Sequence, residues 1–294
     1  MSQRDIIRRQ YSTEDNLRIR QEIHDKYTVP NVNFSEWALN ALNLRGDERV
    51  LDVGCGNGLY YSRLRQRYPN VQYFGVDLFE KMLLSHPSPV NLSVANIAHL
   101  PFPNASFDVV MANHVLFMVE DVDQAIVEMR RLLKPGGLLM ATTNSSNNMP
   151  ELQVLMRRAM VLLSRSSGSS LSQASPSITE RFSLENGAPL LARHFYAVVR
   201  YDLPSALVFH STDPAMTYLE TTRDMREGTL PPDVEWDDVM VIMRQQINQL
   251  VKHLGELVIN KLTGVLIATD EGGFIREFLE KQSEDGLAAG RLRE

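Results

Sequence analysis

The sequence predicts an α/β fold on a doubly wound, mostly parallel sheet, and three observations predict it. Between residues 49 and 144 short apolar strands alternate with helical stretches. Strand, helix, strand at that spacing makes βαβ units, with helices on both faces of a parallel sheet. The first strand runs into Gly54, Gly56 and Gly58, where the absence of Cβ lets the backbone turn sharply and approach a ligand at the start of a helix. The composition, 44% hydrophobic, 22% charged and 7% aromatic over 294 residues, excludes disordered, fibrous and disulfide-rich classes. At ~150 residues per domain the length fits two domains, or one α/β domain with a large insertion.

Each element follows in order. Ser12 or Thr13 can cap a helix reaching about residue 27, with Ile19, Ile23 and Tyr27 on one face and Arg20 and His24 beside it. Pro30 ends that region, and Asn33 with Glu36 three residues on reads as a capping box for a helix carrying Phe34, Trp37, Ala41 and Leu44. The core is then RVLDVG, a helix over 58–68, VQYFGVD, a helix over 79–86, NLSVAN, FDVVMANH, a helix over 123–133 closed by Lys-Pro-Gly-Gly, and LLMATTN. After Asn144 the alternation stops. A helix over 150–163 leads into 164–177, where eight of fourteen residues are serine; so polar a stretch cannot offset its ordering entropy and reads as a mobile loop, a lid if it covers a site. A helix over 189–194 precedes the strand FYAVVRYDL and the apolar ALVFH, and Asp213 with Pro214 reads as an N-cap and first helical position. A long helix from Trp236 stops near Gly255, ELVINK and VLIATD read as strands joined by a turn at LTG, and FIREFLEK reads as a last helix. The chain divides into N-terminal helices (1–45), a core (46–144), a cap with the serine-rich loop (145–235) and a C-terminal segment (236–294).

Thirty Lys and Arg against 36 Asp and Glu give a net charge of −6, so no broad electropositive face is expected and nucleic acid is excluded as a partner. Residues 213–238 hold eight acids and two arginines and read as a solvated surface stretch. The single cysteine, Cys55, excludes an internal disulfide and reads as a small packed residue, and no His/Asp/Glu cluster has metal-ligand spacing. No apolar run approaches the ~20 residues of a membrane span, and the first thirty residues are charged throughout. A cytoplasmic protein is expected, in which the sequons at Asn91, Asn104 and Asn144 have no meaning. Small molecules are the default ligands.

The glycines are spaced G-x-G-x-G; a dinucleotide fingerprint would need its third glycine where Leu59 stands. Asp77, 23 residues after Gly54, ends the second core strand, where a carboxylate can accept both hydroxyl hydrogens of a ribose. The pair points to a nucleoside. With VLDVGCGNG, FGVDLFEKML, ANIAHLPFPNASFDVVMANHVL and RLLKPGGLLMATTN in that order, the chain resembles the class I S-adenosylmethionine-dependent methyltransferases over roughly residues 45–144. Within them it is most similar to the small-molecule, quinone-biosynthesis-like group. The resemblance implies a Rossmann-like methyltransferase fold with a helical cap after the fifth strand, S-adenosylmethionine as cofactor and S-adenosylhomocysteine as product. It implies that Gly54, Gly56 and Gly58 line the methionine part, Asp52 holds the loop or the amino group, Asp77 binds the ribose and Leu78 lies against adenine. Asn96 and Ile97 stand at the adenine edge, where the family more often has Asp. Asn113 and His114 fall where cofactor meets acceptor, and Arg20 and Tyr11 belong to a segment that can fold over the cofactor.

A sulfonium methyl is already activated, so the protein need mainly align the nucleophile and exclude water, without a metal. An oxygen or carbon acceptor needs a base and a neutral amine does not; His114 can supply the base, contact the acceptor, or merely pack. The expected acceptor is small and largely apolar, since 145–235 are rich in Leu, Met, Phe and Tyr. Arg193, His194, Tyr196, Tyr201 and His210 fall in the segment expected to build its pocket, and the chain is expected as a monomer or homodimer. The competing reading is a protein that keeps the cofactor pocket for regulation or a non-methylating reaction.

Overall fold

The computed structural model of the protein describes residues 14–88, 91–164 and 180–272, together with Ile7 and Arg9. Eight strands form one sheet: β1 (Thr28–Val29), β2 (Arg49–Val53), β3 (Gln72–Asp77), β4 (Leu92–Val94), β5 (Phe107–Asn113), β6 (Leu133–Asn144), β7 (Ala197–Phe209) and β8 (Leu257–Thr269). Their order is β1-β7-β8-β6-β5-β2-β3-β4. Strands β2 to β6 are mutually parallel, whereas β8 runs antiparallel to β6, β7 to β8 and β1 to β7. The strand order reverses at β2, which lies between β3 and β5, so the crevice outside its carboxyl end is where such a sheet takes a ligand.

The helices are α1 (Asp15–Tyr27), α2 (Phe34–Asn40), α3 (Leu59–Arg67), α4 (Glu80–Leu84), α5 (Val122–Leu132), α6 (Pro150–Leu163), α7 (Leu184–Leu191), α8 (Thr212–Glu220), α9 (Arg223–Arg226) and α10 (Trp236–Leu254). Adjacent residues of β2 and β5 point to opposite faces and both faces are covered, which is why these strands read as unbroken apolar runs. On one face Leu51, Val53 and Val110 pack with Ile126 and Met129 of α5. On the other, Val50 and Met111 pack with Leu39 of α2 and Leu64 of α3.

Strands β7 and β8 pair over their whole length, from Ala197 opposite Thr269 to Phe209 opposite Leu257. Strand β6 accompanies β8 only between Ala268 and Thr263. The hairpin therefore runs on past the carboxyl ends of the parallel strands. There Leu207, Phe209, Leu257 and Ile259 gather Ile23 of α1, Leu152 and Met156 of α6, Met216 of α8, and Trp236, Met243 and Ile247 of α10 into a separate core.

Several expected elements are corrected. The turn expected at LTG is absent: Leu262, Thr263 and Gly264 pair with Pro204, Leu203 and Asp202, so 257–269 is one strand. FYAVVRYDL and ALVFH likewise merge into β7, because beyond the two residues of β1 this strand is a sheet edge, where Pro204 is tolerated. The helix expected over 189–194 is α7, which starts at Leu184 because Ser183 and Asn186 form a reciprocal capping box. Helix α8 is capped at Ser211, ahead of Asp213 and Pro214. Lys-Pro-Gly-Gly is taken into the start of β6, where Leu133 already pairs with Phe107, Gly136 has φ +74° and the register shifts by a bulge. Asn33 accepts from the Glu36 N–H as expected, at 3.1 Å, and α10 ends at Gly255 in the left-handed region. The caps proposed at Ser12 and Thr13, the loop over 165–177 and the FIREFLEK helix lie outside the described residues.

Candidate active site

The glycine loop hangs from β2 onto β3. The N–H groups of Gly54 and Cys55 both donate to the carbonyl of Val76, at 2.8 and 3.0 Å. All three loop glycines have positive φ, +71°, +54° and +79°, but the reasons for glycine differ. A Cβ at Gly54 would lie 2.7 Å from Val115 Cγ2, and one at Gly58 would lie 2.6 Å from Pro87 Cδ and 2.8 Å from His86 Cδ2. At Gly56 the nearest atoms, Leu17 Cδ2 and Met82 Cε, are 3.7 Å away. Protein packing excludes a side chain at 54 and 58; at 56 the chain leaves a cradle that a side chain would fill, which fits the methionine end of the expected cofactor.

Asp77 holds this loop. Its Oδ2 accepts from Gly56 N–H at 3.0 Å and its Oδ1 from Phe79 N–H at 2.9 Å, leaving lone pairs on both oxygens for a diol. Burial raises its pKa, and the backbone donors of Phe79, Gly56 and Leu78 oppose the rise. Leu78, the next residue, is 48% exposed, an apolar surface open to a flat ring. On the neighbouring loop Asn96 Oδ1 accepts from Ala98 N–H at 3.0 Å, so the side-chain amide offers donors only, and Ile97 packs partly against the core. That loop is fastened by Arg131, bidentate to Glu128 at 2.8 Å and donating to the Phe102 carbonyl at 2.9 Å, and by Leu100 N–H donating to Glu128 at 2.7 Å.

Asp52 sits beneath the loop, buried. Tyr73 Oη donates to its Oδ2 at 3.0 Å and Asn113 Nδ2 to its Oδ1 at 3.4 Å. His86 continues the chain: Ser88 N–H donates to Nδ1 at 3.0 Å, which leaves the proton on Nε2 to bond Tyr73 Oη at 3.2 Å. Burial pushes Asp52 up to about 7, against the pull of Tyr73 and Asn113. Thr142 Oγ1 donates to Asn113 Oδ1 at 3.4 Å, so the Asn113 amide is engaged on both sides. Sequence reasoning missed Tyr73 and His86; a tyrosine and a histidine flanking Asp77 in chain order were the available signal.

His114 follows β5 with φ +51°, a left-handed conformation uncommon outside glycine and a frequent mark of functional positions. Its N–H donates to Thr142 O and Oγ1 at 3.0 and 3.1 Å, and its ring lies 5.4 Å from that of Phe34. Burial first, and then the charge of Lys261, lower its pKa to about 4. Helix α1 lies over this region. Gln21 and Asn57 exchange side-chain hydrogen bonds of 3.4 and 3.2 Å, tying α1 to the glycine loop. Arg20 donates to the carbonyl of Thr221 at 2.8 Å, and His24 Nδ1 is 3.1 Å from Lys261 Nζ. Tyr11 lies outside the described residues.

The residues expected to build the acceptor pocket are elsewhere. His194 pairs with Asp123 at 2.8 Å, His210 lies 3.6 Å from Glu256 near the hairpin tip, Arg193 and Tyr196 are exposed, and Tyr201 packs against the sheet core. Lys261 and Arg226 were missed; a lone cation inside the apolar strand ELVINKLTGVLIATD was the signal. In the acidic stretch Arg223 pairs with Glu220, Glu227 and Asp237, and Arg244 with Asp213, so local ion pairs carry much of its charge. Among the described residues no group of three or more His, Cys, Asp or Glu could hold a metal, and no helix is long and apolar enough to cross a membrane.

Residues 51–141 match the family described as "Methyltransferase domain". An uncharacterized methyltransferase of Mycobacterium bovis is 36% identical over 108 residues, 36% of this chain and 55% of that protein. A malonyl-[acyl-carrier protein] O-methyltransferase of Methylovorus sp. is 33% identical over 123 residues, 38% of this chain and 42% of that protein. The chain thus spans about half the length of the curated relatives it matches. The YcgJ protein of Bacillus subtilis has the same fold, with TM-score 0.51 at 19% identity over 81% of this chain and 99% of that one. So does a Haemonchus contortus phosphoethanolamine N-methyltransferase solved with phosphomonomethylethanolamine and S-adenosylhomocysteine, with TM-score 0.54 at 17% identity over 92% of this chain and 60% of that one.

Proposed function

From the match of residues 51–141 to the family described as "Methyltransferase domain", we propose that the protein is a class I S-adenosylmethionine-dependent methyltransferase that methylates an oxygen, nitrogen or carbon atom of a small, largely apolar molecule by in-line displacement. The observation that carries this reading is the convergence of three features at the carboxyl ends of β2, β3 and β5. They are the glycine loop with its cradle at Gly56, Asp77 bonded to that loop, and His114 in a left-handed conformation. When bound, S-adenosylmethionine supplies the activated methyl.

The chain's own residues do the rest. Asp77 accepts from the two ribose hydroxyls, Leu78 covers one adenine face, and Asn96 donates to the adenine edge. Asp52 beneath the loop answers the ammonium of the methionine end, with Asn113 and Tyr73 holding its carboxylate in place. Gln21 on α1 and Asn57 close the loop from above, bringing Leu17 over Gly56 and excluding water, which strengthens every polar contact inside. His114, neutral at physiological pH because its pKa is lowered to about 4, takes the proton of a hydroxyl or carbon acid as the methyl arrives. The separate apolar core around the hairpin end supports the acceptor side of the crevice.

Two measurements test this. Calorimetry should show S-adenosylmethionine and S-adenosylhomocysteine binding in preference to NAD. Incubation with candidate acceptors should release S-adenosylhomocysteine with a methylated product; binding without product from a broad acceptor panel would favour a regulatory or non-methylating role.

A further inference from the structure

Basic side chains of α1 and β8 meet near His114. Lys261, on the stretch of β8 that has left β6, donates to His24 Nδ1 and to Thr28 Oγ1, each at 3.1 Å. The His24 ring meets that of Tyr218 edge-on at 5.6 Å. The charges of Arg226 and Arg20 both act on Tyr218, and that of Lys261 acts on His24 and His114. Helix α1, the end of α8 and β8 thus meet at one electropositive spot, which the charge of Arg226 also reaches.

Among the described residues no carboxylate pairs with Lys261 or with Arg226. Arg223, three residues from Arg226, has three acidic partners, whereas no ion pair includes Lys261 or Arg226. Lys261 and Arg226 are half-buried, and withdrawing an ammonium and a guanidinium from part of their water without a counter-charge is unfavourable. Burial accordingly lowers the pKa of Lys261 to about 8 and lowers that of Arg226. His24, lowered to about 3 chiefly by burial, stays neutral and accepts from Lys261 rather than adding charge.

We propose that this cluster receives an anionic group of the methyl acceptor, a carboxylate or a phosphate, with Lys261 as the principal contact and His24 and Arg226 beside it. The word acceptor rests on the methyltransferase reading; the anion site itself is testable without turnover. A largely apolar body with one charged end suits a basic spot at the edge of the apolar core that holds Ile23, Tyr218 and Ile259.

The test is calorimetry on protein saturated with S-adenosylhomocysteine, titrated with octanoate, octyl phosphate and octanol. At least one anion should bind ~10-fold or more tighter than octanol, as charge-assisted hydrogen bonds require. Preference for octanoate identifies a carboxylate site and preference for octyl phosphate a phosphate site. Lys261→Met should weaken the anion by ~10-fold or more while S-adenosylhomocysteine affinity stays the same, and Lys261→Arg should retain most of it. Arg226→Gln is a second variant with the same expectation, should Lys261→Met fail to fold. Equal binding of octanol and both anions, or anion binding unchanged in folded Lys261→Met and Arg226→Gln, would overturn the proposal. So would loss of S-adenosylhomocysteine affinity in Lys261→Met, which would assign the cluster to the cofactor's own carboxylate. If the wild type bound no S-adenosylhomocysteine, the methyltransferase reading would fail instead, and the same titrations on ligand-free protein would still decide the anion site.

Discussion

In the proposed reaction Asp77 does two things at once, since the oxygen that accepts from Gly56 N–H would also be offered to a ribose. Asp77→Ala should weaken S-adenosylmethionine and S-adenosylhomocysteine by ~1.5–3 kcal/mol, read by calorimetry; unchanged affinity in a folded variant would refute the assignment. Gly56→Val probes the cradle. The variant should keep its sheet, because protein atoms stand 3.7 Å off, and lose cofactor binding, because the branched side chain fills the ligand's space. Asp52, pushed up to about 7 by burial, is partly protonated in the free protein near neutrality, and an ammonium placed against it favours the ionised form. Cofactor binding near pH 6.5 should therefore release protons, seen as a binding enthalpy that changes with the ionisation enthalpy of the buffer. Asp52→Asn should abolish that dependence. His114→Ala should lower kcat by ~10²–10⁴ if the imidazole is the base. The acid limb of the rate profile should then fall near its lowered pKa of about 4 rather than at the ordinary histidine value; loss of stability with full turnover per folded molecule would make it a packing residue.

At the scale of elements, the parallel core could be read from the sequence because each strand is short, apolar and followed by a helix with its own signals. The Asn33 cap, the glycine loop and the stop at Gly255 are all local chemistry. The antiparallel half was harder, since nothing local distinguishes two short strands from one long one. Leu262, Thr263 and Gly264 look like a turn between apolar runs, and only their pairing with Pro204, Leu203 and Asp202 keeps them extended. For the same reason the site was half legible. Gly54, Gly56, Gly58 and Asp77 lie close in sequence to the elements they join, whereas the partnership of Lys261 with His24 and Thr28 spans more than two hundred residues and exists only through the hairpin. Gly264 shows how tightly that hairpin is built. A Cβ there would collide with the Tyr201 carbonyl oxygen and approach Leu184 Cδ2 at 2.9 Å, so Gly264→Ala should destabilise by ~1–3 kcal/mol. Urea denaturation measures it, and an unchanged midpoint would show that α7 can step aside.

For the whole molecule, the buried titratable groups set the response to acid. His24 and His114 are held neutral, with pKa values lowered from 6.5 to about 3 and about 4. Below pH 6.5 the unfolded chain takes up protons that the folded chain refuses, so the stability present above that value is lost as the pH falls through the lowered values. Glu185 is exposed at the start of α7; against partial desolvation, the hydrogen bonds of Ser145, Ser146 and Ser183 lower it to about 2, and it acts in the same sense over a more acidic window. Asp52 opposes them: raised from 3.8 to about 7, it favours the folded state below 3.8 and loses that advantage as the pH rises through 7. Between pH 7 and pH 4 Glu185 contributes little, and His24, His114 and His86 act against Asp52 and Asp77, so the urea midpoint should drop; a midpoint that rises would contradict the neutral histidines. The paired length of β7 and β8 carries a mechanical consequence as well. The two strands act as a stiff beam embedded at one end in the parallel sheet and at the other in the separate core of α6, α8 and α10, so a cap built on that core could not swing as a rigid shell without breaking strand pairs. The end of α1 near His24 is tied to the beam through Lys261, so movement at the glycine loop falls to the contact between Gln21 and Asn57. The rate of turnover should then respond to how firmly Gln21 grips Asn57 more than to any motion of the cap as a body.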